Sequence, residues 1–279
     1  MRETRWNWKS IDGLEMFAQS WEPEENIKAV VCLVHGLGEH SGRYAHVGKA
    51  LANAGFALAG FDLRGHGKSG GQRGHTPSYD ALMDDMDMFI DLVAGRFLGS
   101  PRFLYGHSLG GNLVINFGLQ RKVELVGVIS TGPWLKLAFQ PPTSKVLLGK
   151  MMNNILPGYS QASGLETAAL SQDPAVVEAY VNDPLVHDKI SARMFVNLFD
   201  AGLWALDHAA EIRLPLLLMH SGVDRITSAE ASRQFAKSAG KKVTLRIWDG
   251  LYHEIHNEPE QGEVLTFMIE WMNSQLKDK

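Results

Sequence analysis

Ser108 lies between glycines at the spacing a nucleophile needs. In Gly106-His107-Ser108-Leu109-Gly110 the positions two before and two after the serine carry no side chain. A strand-to-helix elbow requires this, because a side chain at either place would meet backbone. The apolar run Phe103-Leu104-Tyr105 precedes the turn and the periodic stretch Asn112-Leu113-Val114-Ile115-Asn116-Phe117 follows it. A Gly-x-Ser-x-Gly pentapeptide alone turns up by chance in roughly one of ten chains of this length. Its partners must therefore decide its meaning.

A serine hydroxyl is a weak nucleophile until a base takes its proton, and an imidazole base needs an acid to fix its tautomer. For a serine on such an elbow the partners follow in the order Asp or Glu, then His, on loops at the carboxyl ends of later strands. Asp224 meets the first requirement in His220-Ser221-Gly222-Val223-Asp224-Arg225, directly after Leu216-Leu217-Leu218-Met219. His253 meets the second in Asp249-Gly250-Leu251-Tyr252-His253-Glu254, after the last strand. The rivals are placed less well. His256 reads as the opening of the final helix, His220 as the end of a strand, and Asp249 would share one short loop with His253. An acyl-transfer intermediate also needs two N–H donors for its oxyanion, each worth about 3 kcal/mol. The Leu109 amide follows the nucleophile at a helix start, where the dipole favours negative charge. Leu37, in His35-Gly36-Leu37-Gly38-Glu39-His40, is the best second donor, because the glycines admit a close backbone.

The elements that must hold these residues are legible as texture. Alternation through Trp6-Asn7-Trp8-Lys9, a turn at Ser10-Ile11-Asp12-Gly13 and alternation through Leu14-Glu15-Met16-Phe17-Ala18 predict an antiparallel hairpin. Unbroken apolar runs follow at 29–34, 56–61, 102–105, 125–129, 214–219 and 243–248. Helical stretches fall at 44–53, 79–96, 111–119, 229–239 and 261–276. Strands buried on both faces and alternating with helices mean a parallel sheet in an α/β fold. Between Ser130 and Leu214 the connection is too long for a crossover. It holds Trp134-Leu135-Lys136-Leu137-Ala138-Phe139, the breaker Pro141-Pro142 and the apolar, Met-containing run 146–156, expected to form a helical cap with a small core of its own, the alternative being that these residues complete the main core. The expected division is 1–132 and 209–279 for the core and 133–208 for the cap.

Asp80, Asp84, Asp87 and Asp91 make a stripe read as a solvated face, not a metal site. Gly65-His66-Gly67-Lys68-Ser69-Gly70-Gly71 lacks the spacing and immediate helix of a phosphate loop and reads as a tight turn after Asp62. With 279 residues, 45% hydrophobic and 21% charged, the chain suits one large domain with an insertion. A net charge of -4 and no basic, aromatic-interleaved stretch argue against a nucleic-acid partner. The single cysteine, Cys32, excludes an internal disulfide and is expected buried in its strand. The N-terminus shows no apolar targeting segment and no run spans a membrane, so a soluble, cytoplasmic protein is expected.

Taken together, His35 to Tyr44, Asp62 with Gly65 to Ser69, Gly106 to Gly111 and Tyr252-His253 resemble the monoacylglycerol lipases of the α/β-hydrolase superfamily. Tyr180-Val181-Asn182-Asp183-Pro184-Leu185 resembles that family's cap. The resemblance implies an α/β-hydrolase fold, with Ser108, Asp224 and His253 as the triad and Leu37 and Leu109 as the oxyanion hole. It places Glu39, Arg43, His107, Tyr180 and His256 where the family lines or supports the pocket for the glycerol end of a monoacylglycerol. It further implies no cofactor and no metal, and peripheral contact of the cap with a membrane or micelle. Leu37 departs from the small residue expected in the oxyanion loop. Lysophospholipase and broad carboxylesterase are the alternative activities, with a non-catalytic binding module behind them. Dehalogenases and epoxide hydrolases are disfavoured because their elbow carries Asp.

Overall fold

A computed structural model describes residues 1–277. The N-terminal alternation forms the hairpin β1 (Arg2–Lys9) and β2 (Glu15–Glu22), joined through Gly13 at φ 81°. The core continues with β3 (Ala29–Val34), α1 (Ala45–Asn53), β4 (Phe56–Phe61), α2 (Tyr79–Arg96), β5 (Arg102–His107), α3 (Leu109–Gln120) and β6 (Gly127–Thr131). After an insertion it ends with β9 (Leu216–Ser221), α7 (Ala229–Ala239), β10 (Val243–Trp248) and α8 (Gln261–Lys277). The sheet order is β1-β2-β4-β3-β5-β6-β9-β10, parallel from β4 onward, with β2 antiparallel to β4.

Period-two alternation splits β3 between two cores, as a doubly covered strand requires. Val30, Cys32 and Val34 pack under α2, α3 and α7, while Ala29, Val31 and Leu33 pack under α1 and α8. Burial pushes the Cys32 thiol up to about 12, so it is a packing residue. One strand departs from the expected double burial. β10 pairs only with β9, and as an edge it exposes Thr244 and Arg246.

The insertion carries α4 (Thr143–Ile155), β7 (Ser160–Ala162), α5 (Pro174–Asn182), β8 (Lys189–Ser191) and α6 (Ala192–Asp207), with β7 and β8 antiparallel. α6 packs on α3, and its Met194, Leu198, Ala205 and Leu206 join the main core. Within 133–208, then, Trp134, Leu135, Ile190 of β8 and α6 are rooted in the central body, and α4, β7 and α5 contribute nothing to that core. The small core expected under α4 is not formed. None of its residues is buried, and Leu147 and Ile155 are 69% and 63% exposed.

Asp62 organises the glycine-rich turn: Oδ1 accepts from Ser41 N and Oγ at 2.8 and 2.6 Å, and Oδ2 accepts from Lys68 N at 2.8 Å. The turn's carbonyls then hold the insertion. Gly65 O accepts from His187 Nε2 at 3.0 Å, and Gly74 O from Ser191 N at 2.8 Å. In the acidic stripe, Asp84 and Asp87 sit 2.9 and 3.3 Å from Arg121 at partly exposed positions.

Candidate active site

β5 ends at His107 and α3 starts at Leu109, leaving Ser108 as the whole turn at φ 54°, ψ -111°. It is the only non-glycine residue with positive φ among those described. Such a conformation costs about 1–3 kcal/mol and persists only where the surroundings over-determine it. Ser108 N donates to Thr131 O at 2.9 Å, and Ser108 O accepts from Asn112 N and Trp134 N, each at 3.0 Å. A Cβ at Gly106 would strike the Gly110 carbonyl, and one at Gly110 would strike the Val34 carbonyl. Gly110→Ala is therefore expected to destabilise the protein by about 3 kcal/mol, through backbone that cannot yield. Equilibrium denaturation reads this directly, and an unchanged midpoint would contradict it.

His253 Nδ1 donates to Asp224 Oδ2 at 2.7 Å, both side chains being almost wholly buried. Asp224 Oδ1 accepts from the backbone N–H groups of Ile226 and Thr227 at 2.7 and 3.0 Å, and Oδ2 also accepts from Thr227 Oγ1 at 3.0 Å. Burial alone would raise Asp224, but the His253 charge and the hydrogen bonds from His220 and His253 hold it well below the usual carboxylate range. For His253 burial favours the neutral ring, yet Asp224 outweighs it and raises the imidazole above its ordinary value. With its proton on Nδ1, His253 keeps Nε2 as an acceptor. Ser108 and His253 line one cavity of about 700 Å³. Among the described residues no group hydrogen-bonds Ser108 Oγ, and none accepts from the Leu37 or Leu109 N–H.

The polar end of the cavity is walled by Leu37, Glu39, His107, Tyr180 and Glu254, and the apolar arm by Trp134, Leu137, Phe139, Leu148, Met152 and Phe195. Of the five residues expected at a head-group pocket, Glu39, His107 and Tyr180 line the cavity. Arg43 and His256 stand behind the wall. Arg43 donates to both Glu254 oxygens at 2.7 Å and to Glu39 Oε2 at 2.7 Å, and its guanidinium lies 4.7 Å over the Tyr180 ring. Three of its five N–H groups go to these carboxylates and it does not line the cavity, so it holds the two acidic side chains in place from behind. His256 stacks on Tyr44 at 4.8 Å and meets the His107 ring edge-on at 4.7 Å. Burial pushes it down to about 3, so it is a neutral packing ring.

The profile of the family described as serine aminopeptidase, S33, matches residues 25–260. The chain belongs to that family. A monoacylglycerol lipase of Mycolicibacterium smegmatis is 34% identical to this S33-family hydrolase over 268 residues, covering 95% of each chain. The crystal structure of Paleococcus ferrophilus monoacylglycerol lipase superposes with a TM-score of 0.84 at 38% identity, covering 99% of this chain and 100% of that one. An abhydrolase domain-containing protein of Dictyostelium discoideum is 36% identical over 263 residues, 93% of this chain but 28% of that longer protein's length. The fold is that of the α/β-hydrolases, and the protein is a serine hydrolase.

Around this hydrolase's Asp224 stand residues that the sequence reading passed over. Thr227 Oγ1 lies 3.0 Å from both Asp224 Oδ2 and Gly132 O, with one proton to share between these two acceptors, and 3.3 Å from His253 Nδ1. His220, read only as a strand end, has Nε2 3.2 Å from Asp224 Oδ2. Glu254 is clamped by Arg43. Burial would raise its carboxyl, but the Arg43 charge holds it far below the usual range. Asp249 is exposed, away from the buried His253. Because His253 is raised above 6.5, kcat/KM on a soluble ester should fall with acid along a one-proton limb centred above that value. A limb centred below 6.5 would contradict the assignment.

Proposed function

We propose that the protein hydrolyses monoacylglycerols to fatty acid and glycerol through an acyl-enzyme. Ser108 attacks the ester carbonyl, His253 takes the hydroxyl proton and returns it to the glycerol oxygen, and Asp224 holds His253 in the required tautomer. The Leu37 and Leu109 amides stabilise the oxyanion. Water, activated by the same His253, then frees the fatty acid. The observation that carries this reading is the 2.7 Å His253–Asp224 bond opening onto a cavity that the Ser108 elbow shares.

The cavity's two ends support the substrate class. An acyl chain in the apolar arm gains about 0.8 kcal/mol per buried CH₂. Glu39 and Glu254 line the cavity with Arg43 behind them, which suits the hydroxyls of an uncharged polyol. The relatives named monoacylglycerol lipase agree with that preference. A fluorophosphonate should label Ser108 at neutral pH, and a monoacylglycerol should be turned over faster than a lysophospholipid or a short nitrophenyl ester. Equal rates on all three would point to a promiscuous esterase, and failure to label would point to a binding module.

Residues 133–208 serve in this reading as a cap, anchored by α6 and open along α4. Leu147, Met151, Ile155 and Leu156 are exposed together, an apolar face suited to peripheral contact with a lipid surface. No helix among the described residues is long and apolar enough to cross a membrane. The variant Leu147→Asp/Ile155→Asp should bind neutral lipid vesicles about tenfold more weakly and slow on emulsified substrate, with the soluble-ester rate preserved. Vesicle co-sedimentation checks this, and unchanged binding would remove α4 from the contact.

A further inference from the structure

We propose that His220 is a positioning residue of the reaction, a second imidazole that shares the Asp224 Oδ2 oxygen with His253 and so fixes the carboxylate. The inference rests on the roles given above to Asp224 and His253. His220 lies in β9 and is fully buried, with Nε2 3.2 Å from Asp224 Oδ2 and 3.3 Å from the Thr227 carbonyl oxygen. A carbonyl can only accept, so Nε2 carries the proton and shares it between the carboxylate and the loop that bears the carboxylate. The other ring nitrogen agrees. Nδ1 lies 2.7 Å from Ser232 Oγ on α7, a buried hydroxyl that donates to it and so locks the tautomer. Asp224 Oδ2 is thus distributed over His253 Nδ1 at 2.7 Å, Thr227 Oγ1 at 3.0 Å and His220 Nε2 at 3.2 Å.

A structural histidine would need only to fill its space. This one limits how much of the carboxylate's charge falls on His253, and so sets both the aim and the basicity of the base. The charged and titratable groups facing His253 are Asp224 after β9, His107 beside the elbow, Glu39 after β3 and its chain neighbours Glu254 and His256. All of them stay in place in the variants below.

His220→Leu should lower kcat about tenfold with KM unchanged and move the acid limb of kcat/KM to higher pH, because the carboxylate's full demand then falls on the His253 proton. His220→Gln, which keeps an N–H in reach, should restore most of the rate and return the limb. Ser232→Ala frees the tautomer while removing one hydroxyl, and should give a smaller loss with the same sign of limb shift. Should His220→Leu fail to fold, Ser232→Ala decides. Wild-type kcat and limb in Ser232→Ala, or a lowered melting temperature with an unmoved limb in His220→Leu, would overturn the proposal. Fluorophosphonate labelling of the wild type separates the two readings. If Ser108 does not label, the parent assignment fails; if it labels at the same pH-dependent rate in all variants, only the role of His220 fails.

Discussion

Ser108→Ala is expected to remove turnover, with a fall of about 10⁶ in kcat, while the fold survives. The alanine inherits the turn at φ 54° with the same Cβ and the same left-handed strain, and the backbone bonds to Thr131, Asn112 and Trp134 use no side-chain atom. What disappears is the only hydroxyl on the elbow. Steady-state hydrolysis of a monoacylglycerol, with a melting curve on the same sample, checks both halves. A variant retaining a tenth of the native rate would place the nucleophile elsewhere.

Asp224→Asn should cost about 10⁴ in kcat with little change in KM. The geometry dictates how the amide must sit. Two backbone N–H groups, from Ile226 and Thr227, point at Oδ1 and cannot turn away, whereas the donors at Oδ2 have other acceptors, His220 Nε2–H in the Thr227 carbonyl and the Thr227 hydroxyl in the Gly132 carbonyl, so the NH₂ takes the place of Oδ2. It then donates to His253 Nδ1, which had been the donor at 2.7 Å. The ring proton is driven to Nε2, facing the serine it should deprotonate. Nitrogen-15 chemical shifts of His253 would report the switched tautomer, and a rate within tenfold of native would show that tautomer control is not what Asp224 supplies.

The elbow was legible because Gly106 and Gly110 answer a steric demand that no other residue meets, and steric demands survive in sequence. Asp224 and His253 were legible because strand ends are marked by apolar runs and the order of partners is constrained. Ion pairs leave no such trace. Arg43 and Glu254 lie 211 positions apart, and nothing local reveals that the guanidinium is paired with carboxylates behind the cavity wall. His220 was passed over for a related reason: its value lies in two contacts, one to Asp224 and one to Ser232 on another element. The apolar run 146–156 correctly marked a helix, but hydrophobicity alone does not say whether such a helix encloses a core or borders a cavity. α4 borders a cavity.

α4 has no buried residue of its own and packs mainly along α6, so with Leu148 and Met152 lining the cavity it would gain further apolar burial from hydrocarbon occupying that space. The acyl chain then works as a guest that completes its host, and anything binding the native state alone stabilises it in proportion to occupancy. Hydrolysis severs the ester but leaves the hydrocarbon intact. Under the proposed function, the fatty acid would hold α4 much as the uncut lipid does, and its departure, not bond cleavage, would then be the natural brake on turnover when lipid is abundant.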